Sequence, residues 1–229
     1  MPSPSTTGQS RPLTLRLIAE SDLDQVLALD QTALGGLWNR DGYRRELDND
    51  TSALLGLWTK PRSQGDDVGE GQLTECSTDQ GARQLIGLGC TWFIVDEAHI
   101  TAIAVDPQYQ RQGLGQLLLL ALLQTSHRQG MKRATLEVNC NNFRAIALYE
   151  KFGFKQVGIR KKYYSNGDSA AILWLNRLDW PQFIDTLQQW ETTVSDRLKK
   201  HQWIPPSLES LTITSPGFRP SSDMKSDEK

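Results

Sequence analysis

Cysteine is scarce in this chain. Its 229 residues hold three, Cys76, Cys90 and Cys140, an odd number with no CxxC spacing. That pattern argues against a disulfide framework or a thiolate zinc site and points to reduced thiols. Histidine is equally rare, and His99, His127 and His201 are too scattered to suggest a metal cluster. No apolar run approaches the roughly 20 residues that a membrane helix needs. The longest, Leu114 to Leu123, is broken by Gly115 and Gln116. A basic excess is missing too: 25 Lys and Arg against 27 Asp and Glu give a formal charge of −2. The general electrostatic reason to bind nucleic acid or an anionic membrane is therefore absent, although a local basic patch stays open. The opening stretch "MPSPSTTGQSRP" lacks the apolar centre of a secretory signal, so a cytoplasmic protein is expected.

What is present suffices for one sizeable core, with 38% hydrophobic and 23% charged residues. Residues 1–12 read as a disordered leader. "LTLRLI" (Leu13 to Ile18) alternates as a strand does, Ser21 stands where a helix cap is needed, and Leu23, Val26, Leu27 and Leu29 recur at helical spacing. A short helix "RDGYRRELDN" and a strand "SALLGLW" follow. Residues 61–83 are rich in Gly, Ser, Asp and Gln with almost nothing to bury, which marks a mobile surface insertion. "QLIGLGCTWFIV" and "AHITAIAV" form a hairpin about Asp96 and Glu97.

Next come a helix from about Gly113 to Gln129 closed by Gly130, and a strand from Lys132 to Asn139. A further helix, "NFRAIALYEKF", is capped by Asn141 or Asn142 and closed by Gly153. Strands at about Phe154 to Tyr163 and Ala170 to Leu175 are joined by "SNGD". The order implies an α/β fold with a mixed sheet and helices on both faces. Over residues 177–204, Trp180, Ile184, Leu187, Trp190, Val194 and Leu198 fall on one helical stripe, with Asp179 as cap and Pro181 in the first turn. Such a stripe faces either the chain's own core or a partner. Residues 205–229 read as a disordered tail.

The junction "VDPQYQRQGLGQLLLLALL" (Val105 to Leu123) sets two close glycines before the most apolar helix. Amides at a helix start lack intrahelical partners and, with the dipole, favour an anion, so glycines there let a phosphate approach. A purely structural turn would account for them as well. A dinucleotide-binding fold would use Gly113, Gly115 and Glu137, but its third glycine falls on Leu118 and the loop lies well past the strand end. The P-loop pattern is absent.

Gln110-Arg111-Gln112-Gly113-Leu114-Gly115 resembles the Q/R-x-x-G-x-G/A loop of the GNAT-superfamily, acetyl-coenzyme A-dependent N-acetyltransferases. The resemblance runs from about Leu13 to Leu175 and is greatest to the ribosomal-protein-alanine N-acetyltransferase (RimI-like) subfamily. "DEAHITAIAVDPQYQRQGLG", "LEVNCNNFRAIALYEKFGF" and "RKKYY" look like its signature blocks, in order. It implies a GNAT-type acyl-CoA N-acyltransferase fold over residues 13–176, here with a C-terminal helical extension, and acetyl-CoA as co-substrate without a metal. By the same resemblance, the main chain of Ile103, Ala104 and Val105 meets the pantetheine arm and acetyl carbonyl. Arg111, Gln112, Gly113, Leu114, Gly115 and Gln116 hold the pyrophosphate, and Asn142 adds a further coenzyme contact.

Acetyl transfer to an amine needs a neutral nucleophile, a stabilised carbonyl oxygen and a protonated leaving thiolate. An α-amino group has a reference pKa of roughly 8, so a nearby base helps at neutral pH. Glu137 alternates with Leu136 and Val138 and shares its face with Thr135 and Asn139, which sets a carboxylate on a polar surface. Unaided, it reads as a solvated strand carboxylate, and Tyr149 as core packing. The resemblance makes Glu137 the proton acceptor and Tyr149 the proton donor. Neither attacks carbon, and Cys140 reads as structural, so direct attack in a ternary complex is expected.

The resemblance further implies a protein N-terminal α-amino group as acceptor, typically an alanine of a small-subunit ribosomal protein. Trp38, Tyr163 and Tyr164 are expected near the acceptor cleft. A lysine or small-molecule amine acceptor, and a non-catalytic acetyl-CoA-binding scaffold, are the alternatives. Oligomeric state is not legible.

Overall fold

The computed structural model describes residues 10–61 and 83–208. Most of the expected leader, the interior of the insertion, Cys76 and the tail beyond residue 208 lie outside the described residues. The eight strands are β1 (Arg11–Leu17), β2 (Ser52–Thr59), β3 (Gln84–Ile94), β4 (Glu97–Val105), β5 (Arg133–Asn139), β6 (Lys155–Arg160), β7 (Ala170–Asn176) and β8 (Trp203–Ile204). They form one mixed sheet in the order β6-β7-β5-β4-β3-β2-β1-β8, in which β4 with β5 and β1 with β8 run parallel. The helices are α1 (Leu23–Ala33), α2 (Arg40–Leu47), α3 (Leu114–Arg128), α4 (Phe143–Lys151) and α5 (Phe183–Lys200).

Two apolar layers sandwich the sheet. Leu23, Val26 and Leu29 of α1 and Tyr43 of α2 pack on one face against Leu54, Trp58, Leu88 and Ala104. On the other face α3 buries Leu117 to Leu123 without a break, together with Tyr149, Phe152, Leu187 and Leu198 from α4 and α5. Because α3 is covered by both the sheet and α5, its sequence is apolar all round rather than striped. Helix limits follow local chemistry. Asn39 and Asn142 each accept a backbone N–H, from Gly42 and Ala145, capping α2 and α4. Gly130 and Gly153, at φ 71° and 78°, take the left-handed positions after α3 and α4.

Several expected boundaries move. Ser21 does not cap α1; residues Glu20–Asp22 form a 3-10 turn in which the Asp22 carboxylate accepts the Ala19 N–H and pairs with Arg16. Asp179 does not cap α5, which begins at Phe183, and Pro181 lies in the turn before it. Its buried stripe is Phe183, Leu187, Val194 and Leu198 with Trp190 half-buried, whereas Trp180 and Ile184 are exposed. Trp180 instead carries the Arg177 guanidinium over its ring at 4.2 Å. The stripe faces this chain's own core.

At the ends, β1 starts at Arg11, inside the expected leader, because residues 11 and 12 pair with Trp203 and Ile204. The start of the expected tail is packed as well, with Leu208 2% exposed and its carbonyl accepting from Arg128. Strand β6 stops at Arg160, which leaves Tyr163 and Tyr164 in the following turn. No helix among the described residues is long and apolar enough to cross a membrane.

Candidate active site

The site arises where two parallel strands part. β4 and β5 pair only at Glu97–Arg133, Ala98–Ala134 and His99–Thr135. Beyond that point β4 carries a bulge at Thr101, where its register against β3 slips, and β5 pairs with β7 alone. The Asp106 N–H donates to Ile86 on β3, so by strand alternation the backbone groups of Ile103 and Val105 face the opened edge. The Val105 carbonyl is taken by the Gln110 side chain at 3.1 Å. The groups of Ile103 and the N–H of Val105 are left for a ligand with its own donors and acceptors.

A groove of 530 Å³ runs from this edge across the start of α3, lined by Ile103, Val105, Gly113, Gly115, Gln116, Leu148 and Tyr149. Arg111, Arg144, Lys151 and Arg197 also line it, with no carboxylate among the lining residues. Helix α3 starts from Gly113, whose carbonyl accepts the Leu117 N–H at 3.0 Å, so the amides of the first turn are unused by the helix. Gly113 needs its freedom twice over: φ is 94°, and a Cβ would sit 3.2 Å from Arg197. Gly115 differs, because a Cβ there would meet only Leu148 and Val105, at 3.9 Å. A side chain at 115 would enter the groove rather than strike the fold. Free strand edge, bare helix start and a cationic lining together suit a long, partly amide ligand carrying phosphates.

Of the residues expected at the coenzyme, Ile103, Val105, Arg111, Gly113, Gly115 and Gln116 line the groove. Ala104 faces the opposite layer of the sheet and Leu114 the core, as alternation and helix phase require. Gln112 turns its side chain to Trp203, and Asn142 commits its side-chain oxygen to the α4 cap.

Tyr149 is 9% exposed, edge-on to Phe154 with ring centroids 5.8 Å apart. Among the described residues nothing hydrogen-bonds its hydroxyl, and burial, then the nearby Tyr164, pushes its pKa above the ordinary phenol range. Tyr164 is raised by burial, then by Tyr163 and Glu137. Tyr164 is thus electrostatically coupled to both Tyr149 and Glu137.

The Glu137 side chain is only 9% exposed and is held by two cationic or donor groups. His99 Nε2 stands 3.1 Å from its Oε2 and Arg160 Nη2 3.2 Å from its Oε1. Behind His99, Nδ1 lies 3.0 Å from the Thr135 hydroxyl, which donates to Glu97 at 2.7 Å. With that hydroxyl hydrogen on Glu97, His99 Nδ1 must be the donor to Thr135. The His99 ring also stacks on Trp92, which stacks on Trp38.

Residues 23–154 match the acetyltransferase (GNAT) family. The chain belongs to that family. It is an acetyl-coenzyme A-dependent N-acetyltransferase, and the groove has the backbone edge and cations that this co-substrate requires. A Bacillus subtilis protein provisionally named ribosomal protein bS18-alanine N-acetyltransferase is 30% identical over 155 residues, covering 67% of this chain and 89% of the relative. The Escherichia coli K12 ribosomal protein bS18-alanine N-acetyltransferase is 44% identical over 85 residues, 37% of this chain and 57% of that protein. The crystal structure of the ribosomal-protein-S18-alanine N-acetyltransferase from Escherichia coli superposes with a TM-score of 0.57 at 28% identity, over 72% of this chain and 94% of that one.

His99, Arg160, Arg144, Lys151 and Arg197 are the lining or pairing residues that the sequence did not single out. His99, Arg144, Lys151 and Arg160 stand inside the quoted signature blocks without a role assigned to them, and Arg197 had no signal.

Proposed function

We propose that this GNAT enzyme acetylates a protein N-terminal α-amino group, an alanine on a ribosomal protein of the bS18 kind, by direct attack in a ternary complex, in the cytoplasm. The names of the relatives support the acceptor class. The observation that carries the chemistry is that Glu137, a sheltered carboxylate where β4 and β5 part, and Tyr149, a protonated phenol lining the groove, are both coupled electrostatically to Tyr164.

Glu137 takes a proton from the attacking amine, directly or through a water, as the N–C bond forms. An amide on the open edge of β4, at Ile103 or Val105, donates to the carbonyl oxygen as it gains charge. As the C–S bond breaks, Tyr149 gives its proton to the departing sulfur. His99, Thr135 and Glu97 then offer the proton held at Glu137 a way out, since Glu97 is 31% exposed. Arg111, Gly113, Gly115 and Gln116 line the coenzyme's phosphate end, with Asn142 as a further contact from its cap.

The test is thiol release from acetyl-CoA with three peptides: a free N-terminal alanine, the same peptide blocked, and a blocked peptide bearing lysine. Turnover with the first alone is expected. Equal turnover with the lysine peptide, or none with any, would overturn the assignment.

A further inference from the structure

The family match ends at residue 154, yet two later elements reach back to the groove. Arg197 of α5 lines it, lays its Cγ and Cδ where a side chain on Gly113 would be, and donates from Nη2 to the Arg111 carbonyl at 3.1 Å. A guanidinium has five N–H groups, so most of its donors stay available beside Arg111. Trp203 of β8 donates from Nε1 to Gln112 Oε1 at 2.8 Å. Its ring is fixed in turn by the Arg11 guanidinium at 4.3 Å and by Tyr109 at 6.0 Å between centroids.

Those two contacts fall on a loop that needs outside support. Arg111 and Gly113 both have positive φ, 66° and 94°, and Arg111 has no glycine's freedom. Gln112, between them, is the residue Trp203 holds. The backbone turn that aims the first amides of α3 into the groove is therefore clamped from behind by residues outside the family-matched segment.

The geometry points to the C-terminal segment as the second half of the coenzyme site: Arg197 supplies a cation to a phosphate of the coenzyme, and Trp203 acts through Gln112 as a positioning residue for the loop. This rests on the reading that the groove takes acetyl-CoA. Phosphate is the matching chemistry because four cations and no carboxylate line the groove.

Calorimetry on the full chain with acetyl-CoA, its 3′-dephospho form and S-acetylpantetheine separates the cases. Arg197→Ala should weaken acetyl-CoA about tenfold or more while leaving S-acetylpantetheine unchanged, and Arg197→Lys should restore part of the loss. Persistence of the loss with the dephospho form assigns Arg197 to the diphosphate, and its disappearance to the 3′-phosphate; both support a phosphate contact. No loss, or an equal loss with S-acetylpantetheine, would overturn it. Trp203→Phe, which keeps a ring and removes the N–H, should raise KM for acetyl-CoA with kcat held. A lower Tm with KM unmoved would overturn the Trp203 role, and Gln112→Ala breaks the same bond if Trp203→Phe fails to fold. Failure of the unaltered protein to bind acetyl-CoA at all would instead sink the groove assignment beneath both.

Discussion

His99 and Glu137 meet across the last pair of residues that β4 and β5 share, with Nε2 and Oε2 3.1 Å apart. Thr135 faces His99 in the register, and Glu137 is two positions further along the same face of β5. The strands part immediately afterwards, so Glu137 sits at the apex of the opening rather than along its wall.

That position makes Glu137→Gln informative. The variant should lose about 100-fold in kcat near neutral pH, where the α-amino group is largely protonated, and progressively less above about pH 8. A pH–rate profile checks this, and a loss of equal size at every pH would assign Glu137 to positioning.

His99→Asn and Thr135→Val interrupt the chain to Glu97 without touching the groove. Each should lower kcat about tenfold, with acetyl-CoA affinity unchanged in calorimetry, since a hydrogen bond to a charged group is worth about 1.5–3 kcal/mol. A fall in affinity with kcat intact would place the pair in binding instead.

For Tyr149→Phe, kcat should drop about 100-fold while acetyl-CoA still binds. Burial raises the Tyr149 pKa, so its hydroxyl stays protonated through the range in which the acceptor amine titrates. The unfolded phenol ionises near pH 10. Between that value and the higher folded one, the native state binds the extra proton, so stability falls as pH rises through this window. Alkaline unfolding monitored by circular dichroism should be delayed in Tyr149→Phe relative to the parent.

The two loop glycines should respond in opposite ways. Gly115→Val adds bulk to open space, raising KM for acetyl-CoA with Tm little changed. Gly113→Ala meets Arg197 at 3.2 Å on a φ of 94° and should cost about 1 kcal/mol or more of stability. Thermal denaturation beside steady-state kinetics distinguishes them.

Local signals carried the reading of the sequence a long way. Asn142, Gly130, Gly153 and the loop from Gln110 to Gly115 act through neighbours a few residues off, and their chemistry was legible. Glu137 was legible only through its motif, because period-two alternation places a carboxylate on a face without saying what stands opposite. His99 and Arg160 were not, since the strand order that brings β4, β7 and β6 around β5 is a property of the whole sheet. The same holds at α5. A stripe beginning at Trp180 or at Phe183 looks alike in sequence, and the choice falls to Arg177, which stacks on Trp180 outside the core.

Proteins are made from the amino end, and the parallel pairing of β1 with β8 ties that order to readiness for work. While the chain is still emerging from the ribosome, Arg11 and Gln112 wait for a Trp203 that has yet to be translated. A nascent chain with residues 23–154 made would carry the family core and still hold its cofactor loop loosely, so binding should mature only once residue 203 has left the ribosome.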